Sequence, residues 1–291
     1  MNFHICDIIV LVIEMKFTKM HGLGNDYIYI NLFEEEETDF SYLSQVLSDR
    51  HFGIGADGII TISKSDKADC FMQIYNADGS KGEMCGNGIR CVGKYVYESG
   101  IVTKDIITVD TLAGIKTLKL NIVNDKVDSV IVDMGIPTTH SGEGIDINVM
   151  QHDLTVLGQK YSVIDVSMGN PHTVIFVPEI TDYLVLEVGK LIECDSYYPN
   201  RTNVEFVEII NENTLKMRVY ERGSGETMAC GTGSCATAVA YMLKNPHITS
   251  VEVQLLGGNL KISKNNEGHI FMDGPATKVF DGFFDVNDII K

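Results

Sequence analysis

Short runs in which apolar and polar residues alternate fill most of this chain, and helical periodicity is confined to a few segments. Alternation puts successive side chains on opposite faces of a strand, whereas recurrence at the helical period marks a single helix face. Strands are predicted at Ile28–Asn31, Gly58–Ile62, Cys70–Tyr75, Ile106–Val109, Lys116–Val123 and Lys126–Asp133. A second set follows at Thr173–Val177, Asn203–Ile209, Thr214–Glu221, Val251–Leu255, Leu260–Ser263 and His269–Asp273. Turn signals such as Asn124-Asp125, Asn211-Glu212-Asn213, Gly257-Gly258 and Asn265-Asn266 separate neighbouring runs and predict antiparallel hairpins. Helices are predicted over Ser41–Ser48, Gly86–Glu98, Asp182–Glu193 and Gly231–Lys244.

Two stretches echo one another. Asn76-Ala-Asp-Gly-Ser-Lys-Gly-Glu-Met-Cys85-Gly-Asn-Gly leads into one helix, and Tyr220-Glu-Arg-Gly-Ser-Gly-Glu-Thr-Met-Ala-Cys230-Gly-Thr-Gly leads into another. Each runs from a strand end through a Gly-Ser turn and a glutamate to Cys-Gly-x-Gly, with a further cysteine, Cys91 or Cys235, inside the helix. Their spacing is not identical, so this is a structural echo and not a tandem repeat. It predicts two similar halves, each an antiparallel sheet with one central helix. The boundary falls near Gly135-Ile-Pro137, and a cleft between such halves is a natural small-molecule site.

A cysteine just before a helix meets unsatisfied N–H groups and the positive end of the helix dipole, which favour its thiolate. Glycines after it leave amides unshielded, able to grip a carboxylate. A single copy could equally be a nucleophile, an anion site or a buried cysteine at a tight turn. Two copies fit a more specific task. Inverting a carbon centre needs a base on one face and an acid on the other, and two thiols can exchange those roles. Donors must also hold the carboxylate as charge builds on it.

Composition narrows the setting. The 291 residues are 44% hydrophobic and 22% charged, with mean hydropathy near zero, as in ordinary soluble globular proteins. A net charge of −17 repels a phosphate backbone, and no basic cluster offsets it, so nucleic acid is not an expected partner. Seven cysteines without C-x-x-C pairs or metal-ligand spacing predict neither a disulfide framework nor a metal site, and point to a cytoplasmic location. The apolar run Ile8–Ile13 is too short to span a bilayer and lacks a basic flank, so residues 1–14 are read as an extension ahead of Met15, not a membrane anchor.

The motifs together resemble the diaminopimelate epimerase family. They are Met20-His-Gly-Leu-Gly-Asn-Asp-Tyr27, Asn76-Ala-Asp-Gly-Ser80, Met84-Cys-Gly-Asn-Gly-Ile-Arg90, Met168-Gly-Asn-Pro-His172, Arg201-Thr-Asn203, and Tyr220-Glu-Arg-Gly223 with Ala229-Cys-Gly-Thr-Gly233. The resemblance implies an α+β fold of two pseudo-symmetric domains, each an antiparallel barrel-like sheet around a central helix. Residues 15–135 would form the first half, joined by 277–291, and residues 136–276 the second. It implies conversion of LL-2,6-diaminopimelate to the meso isomer, on the route to lysine and peptidoglycan precursors, by a cytoplasmic homodimer. No pyridoxal phosphate, other cofactor or metal is implied.

By the same resemblance Cys85 and Cys230 form the acid–base pair, with Cys230 the acceptor and Cys85 the donor for the LL substrate. Asn25, Asn76, Asn170, Asn203, Glu221 and Arg222 match substrate-binding positions. Gly86, Asn87, Gly231 and Thr232 match the backbone around the reacting carboxylate, and His172 a supporting position near the thiols. Arg222 suits the distant carboxylate of a substrate with an amino-acid group at each end. One departure is Gly58, where some members carry a glutamine; it is left out of the site.

Rival readings are weaker. Gly53-Ile-Gly-Ala-Asp-Gly58 fits a dinucleotide fingerprint but precedes a strand, and Gly231-Thr-Gly-Ser-Cys-Ala236 lacks the surrounding βαβ alternation. A thiol acyl-transfer enzyme using His172 as base leaves the second Cys-Gly-x-Gly unexplained. A proline-racemase-type enzyme would resemble Cys-Gly-His-Gly at the first site, where Asn87 stands. The phenazine-type branch lacks the cysteine pair.

Overall fold

The computed structural model describes residues 14–142 and 144–289; Cys6 and the apolar run before Glu14 lie outside them. The first half of the chain contains β1 (Glu14–Gly22), β2 (Asn25–Asn31), α1 (Phe40–Leu47), β3 (Gly58–Ser63), β4 (Cys70–Asn76), β5 (Lys81–Gly82), α2 (Gly86–Glu98), β6 (Ile106–Asp110), β7 (Lys116–Val123) and β8 (Lys126–Gly135). Then come α3 (Ile147–Met150), β9 (Gln151–Val156), β10 (Gln159–Ser167) and β11 (Pro171–Phe176). A π-helical stretch, Tyr183–Val188, runs into α4 (Gly189–Glu193) and is followed by β12 (Asn203–Asn211), β13 (Thr214–Glu221) and β14 (Gly225–Glu226). The rest is α5 (Gly231–Lys244), β15 (Ser250–Leu255), β16 (Gly258–Lys264), β17 (Ile270–Gly274), β18 (Thr277–Asp285) and α6 (Val286–Ile289).

Strand pairing repeats in the two halves. β2 lies antiparallel to β1 and parallel to β3, β4 lies antiparallel to β3 and β5 and parallel to β6, and β7 continues antiparallel to β8. In the second half β11, β12, β13, β14, β15, β16 and β17 follow the same order with the same senses, starting from β10. The expectation of antiparallel sheets is therefore met only in the majority of pairings. Four pairs are parallel, because a parallel neighbour needs a crossover, and α1, α2, the Tyr183–Glu193 helix and α5 supply the four crossovers. β18 returns beside β1, the place that β9 holds beside β10, and β8 pairs with β17 across the halves.

Each sheet wraps a helix. α2 turns Ile89, Cys91, Val92 and Val96 into the core, and α5 buries Cys235, Ala236, Ala238, Val239 and Ala240. Small residues fill much of α5, which lets strands close around it. One apolar cluster runs through both helices and both sheets, from Met20 to Ala276. Two satellites match each other: Phe40, Leu43 and Leu47 of α1 over β1–β3, and Val185, Val188 and Ile192 over β9–β12. Among the described residues no helix is long and apolar enough to cross a membrane.

Ile89 is fully buried, whereas Val279 on β18 is exposed. Ile89→Ala should lower the unfolding free energy by about 2–5 kcal/mol, read from the shift in the urea midpoint. Val279→Ala should change it by no more than about 0.5 kcal/mol. Equal shifts would contradict a core built around α2.

Candidate active site

Both cysteines cap their helices. Cys85 has extended backbone, φ −132° and ψ 116°, and its sulfur accepts the Gly88 N–H at 3.3 Å. Cys230, at φ −117° and ψ 108°, accepts the Gly233 N–H at 3.4 Å. A sulfur thus takes the place of the usual Ser or Asp oxygen at the first turn. The glycines at that turn sit where a side chain would displace its neighbours. A Cβ on Gly88 would stand 2.7 Å from Ile60 Cδ1, and one on Gly233 would stand 2.7 Å from Glu205 Oε1. The helix starts also meet each other: Asn87 Nδ2 donates to the Ala229 carbonyl at 3.1 Å, and Met272 packs against both Gly86 and Gly231.

A cleft of about 1210 Å³ opens over these starts, and Cys85, Cys230, Asn25, Asn76, Gly86, Asn87, Asn170, Glu221, Arg222, Gly231 and Thr232 all line it. Strand registers turn several of them into equivalent pairs. β2 on β3 and β4 superposes in sequence order on β11 on β12 and β13, so Asn25 corresponds to Asn170, Tyr27 to His172, Gly58 to Asn203 and Asn76 to Glu221. Asn25 accepts the Cys85 thiol at 3.2 Å through Oδ1, while its Nδ2 donates to Asp57 at 2.7 Å. On the other side Asn170 Nδ2 donates to Thr232 Oγ1 at 3.4 Å, and Thr232 Oγ1 stands 3.6 Å from the Cys230 sulfur.

Two predicted residues stand behind the wall. Asn203 is buried, donates to the Pro171 carbonyl at 2.8 Å and accepts the Arg222 backbone N–H at 2.9 Å. His172 is fully buried between Glu205, 2.7 Å from Nδ1, and Asn170, 3.0 Å from Nε2. Arg222 reaches the Asn200 carbonyl at 3.2 Å and borders a second cavity, of about 790 Å³, with Asn170. His172, Glu205 and Cys230 offer donor atoms within 4.8 Å of one another, a grouping a metal could use. Both His172 nitrogens are, however, already committed within the protein.

The electrostatics correct one expectation. Helix starts alone should depress both thiol pKa values, yet burial pushes both up. At Cys85 desolvation outweighs the Gly88 and Asn87 amides, Tyr27 and Arg90, which all favour the thiolate. At Cys230 the rise is larger, because Glu221 and Glu205 add negative charge to desolvation. Glu221 is itself raised by burial, against the Thr227 hydroxyl that donates to it. Sequence reasoning missed Tyr27, Arg90, Glu205 and Thr227. The signal for two of them was a charge inside an apolar run, Ile89-Arg-Cys91 and Val204-Glu-Phe-Val207, since an unpaired charge is rarely buried without cause.

Comparison with known proteins adds ancestry to this geometry. The family profile described as diaminopimelate epimerase matches residues 17–140 and 164–279. The chain is 52% identical over 287 residues to the diaminopimelate epimerase of Agathobacter rectalis, covering 94% of this chain and 100% of that one. It is 48% identical over 281 residues to that of Acetivibrio thermocellus, with 94% and 100% covered. Among solved structures, a hydroxyproline epimerase from Agrobacterium vitis, with trans-4-hydroxy-L-proline bound, superposes with a TM-score of 0.72 at 14% identity, covering 95% of this chain and 94% of that one. A PhzF-family phenazine biosynthesis protein from Bacillus anthracis gives 0.66 at 16% identity, with 94% and 99% covered. These two likenesses concern the fold.

Gly58 explains itself sterically: a Cβ there would stand 2.2 Å from the Tyr75 carbonyl oxygen, next to Asn76. Gly58→Ala should therefore push β3 from β4 and cost about 1–3 kcal/mol, measured by thermal unfolding. An unchanged melting temperature would show that the strands have room the structure does not give them.

Proposed function

The chain belongs to the diaminopimelate epimerase family, and from that membership we propose that it converts LL-2,6-diaminopimelate to the meso isomer with two thiols, without pyridoxal phosphate or metal. The observation that supports this most is the pair of cysteine-capped helix starts opening into one cleft. One cysteine, as thiolate, removes the α-proton. The electron pair left on Cα spreads into the carboxylate, and the other thiol delivers its proton to the opposite face. Amides at Gly86, Asn87, Gly231 and Thr232 hold the carboxylate while that charge develops. Glu221 offers a half-buried carboxylate to the reacting ammonium, and His172 stiffens Asn170 from behind.

The distant amino-acid end distinguishes this substrate from a small cyclic one. Arg222 supplies a guanidinium fork for its carboxylate, and Asn25, Asn76 and Asn170 satisfy either charge without changing the balance of the site. Asn203 acts indirectly, by fixing the Arg222 backbone. We take residues 15–135, joined by 277–291, and residues 136–276 as the two bodies that close over substrate, since a carbanion-like state must be kept from water. The six described cysteines are all free, which suits a reducing cytoplasm. A homodimer would cover Phe280 and Phe283, exposed on β18. The product then serves lysine and peptidoglycan precursor synthesis.

Cys85→Ala and Cys230→Ala should each lower epimerisation of LL-diaminopimelate by about 10²–10⁴-fold or more. Substantial turnover by either would refute the two-thiol reading. Arg222→Lys should raise KM about tenfold, the loss of one charged hydrogen bond of about 1.5 kcal/mol; an unchanged KM would remove Arg222 from the clamp.

A further inference from the structure

The two halves match in backbone and not in charge. Five positions beyond Cys85 on α2 stands Arg90, fully buried; five beyond Cys230 on α5 stands Cys235. Under the second glycine of the first motif, Gly88, lies Ile60, and under that of the second, Gly233, lies Glu205, at the equivalent strand position. Arg90 fills a slot walled by Gly22 and Gly274, where any Cβ would crowd its guanidinium. Its Nη1 donates to the Gly86 carbonyl at 3.1 Å and its Nε to the Pro275 carbonyl at 3.1 Å. Nη2 has no hydrogen-bond partner, and neither has Glu205 Oε2. Two charges are thus buried behind the two thiols, a cation on one side and a carboxylate on the other. An arrangement that leaves polar atoms unpaired is costly, so it calls for a use beyond packing.

We propose that Arg90 and Glu205 are positioning residues that break the symmetry of the thiol pair, making Cys85 the thiol that ionises first and Cys230 the one that keeps its proton. This rests on the two-thiol reading above and adds its resting protonation state. On balance the other groups facing the two sulfurs widen that difference, although Asn25 accepts from the Cys85 thiol and the Thr232 hydroxyl and Gly233 amide favour the Cys230 thiolate. Tyr27 and Asn25 from β2, with the Asn87 and Gly88 amides, surround Cys85; of these Tyr27 and the two amides favour its thiolate. Asp57 is joined to Cys85 through Asn25 and raises Tyr27. Around Cys230 stand Glu221 from β13, Glu205 from β12, His172 from β11 and the Thr232 hydroxyl, so two carboxylates face it. The resting enzyme then holds its base on the Cys85 side. If Cys230 accepts the proton of the LL isomer, a proton must first pass from Cys230 to Cys85 by way of solvent or substrate.

Alkylation by iodoacetamide tests this. The pH midpoint of modification at each cysteine, followed by mass spectrometry on the intact enzyme, reports ionisation independently of access to the sulfur. Wild type should show the Cys85 midpoint at least about one pH unit below that of Cys230. Arg90→Met should raise the Cys85 midpoint and move the acid limb of the kcat/KM profile upward, Arg90→Lys should restore both, and Glu205→Gln should lower the Cys230 midpoint. Equal midpoints in wild type, or a Cys230 midpoint below that of Cys85, would overturn the proposal even if Arg90→Met fails to fold. So would a Glu205→Gln enzyme whose Cys230 midpoint is unmoved. Wild-type assay on LL-diaminopimelate runs in parallel: absent turnover would count against the substrate reading, while the midpoints would still decide the order of ionisation.

Discussion

A sulfur that caps the first turn of a helix, and that the proposed reading also makes an acid–base group, is the constraint on which the rest of this molecule depends. The sulfur can accept an N–H from the first turn only if the chain arrives extended and the turn carries no side chains in its way. Hence glycine at 86, 88, 231 and 233, where a Cβ would meet Met272, Ile60 or Glu205. The helix behind each cap must then be interior, so that its start, and not its flank, faces the cleft. Wrapping a sheet around it satisfies that need, and the parallel crossovers by α1 and by α2 carry the chain from one strand of the wrap to the next. The second half repeats the solution strand for strand.

Magnitudes decide how these thiols behave. A helix start contributes about 0.3–1 kcal/mol at exposed sites and up to about 2 kcal/mol in partly buried ones. Burial of an ionisable group can shift its pKa by several units, each unit about 1.4 kcal/mol. Desolvation therefore wins at both cysteines, and the helix starts moderate a rise they cannot reverse. The α-ammonium of an amino-acid substrate brings a positive charge to the same place. On the proposed reading, thiolate formation and substrate binding then support each other, so the reactive form gains further in the occupied site.

Much of the fold was legible because its signals are local. α2 and α5 were placed to the residue by Cys-Gly-x-Gly and the apolar face that follows. β9, β10 and β18 were not. The β9–β10 hairpin turns at Leu157 and Gly158 with φ values of 52° and 77°, and leucine at a left-handed position gives no turn signal. In β18, Gly282 interrupts the strand pattern, and in the structure the Phe17 ring packs where its side chain would be. Parallel pairing was equally hidden, since alternation is the same whichever way a neighbour runs. At the site, the motifs named the residues that reach the cleft. Arg90 and Glu205 stand behind it, and only the register between the two halves brings out their asymmetry.

The central claim is that two thiols work from opposite faces of one carbon, and isotope placement in the first turnover tests it most directly. With LL-diaminopimelate in deuterium oxide, the removed proton stays on one cysteine while the other, equilibrated with solvent, supplies deuterium. The account predicts meso product that carries deuterium at the inverted carbon, while recovered substrate stays protiated. Deuterium appearing in recovered substrate as fast as in product would mean that a single group removes and returns the proton, and would contradict the account.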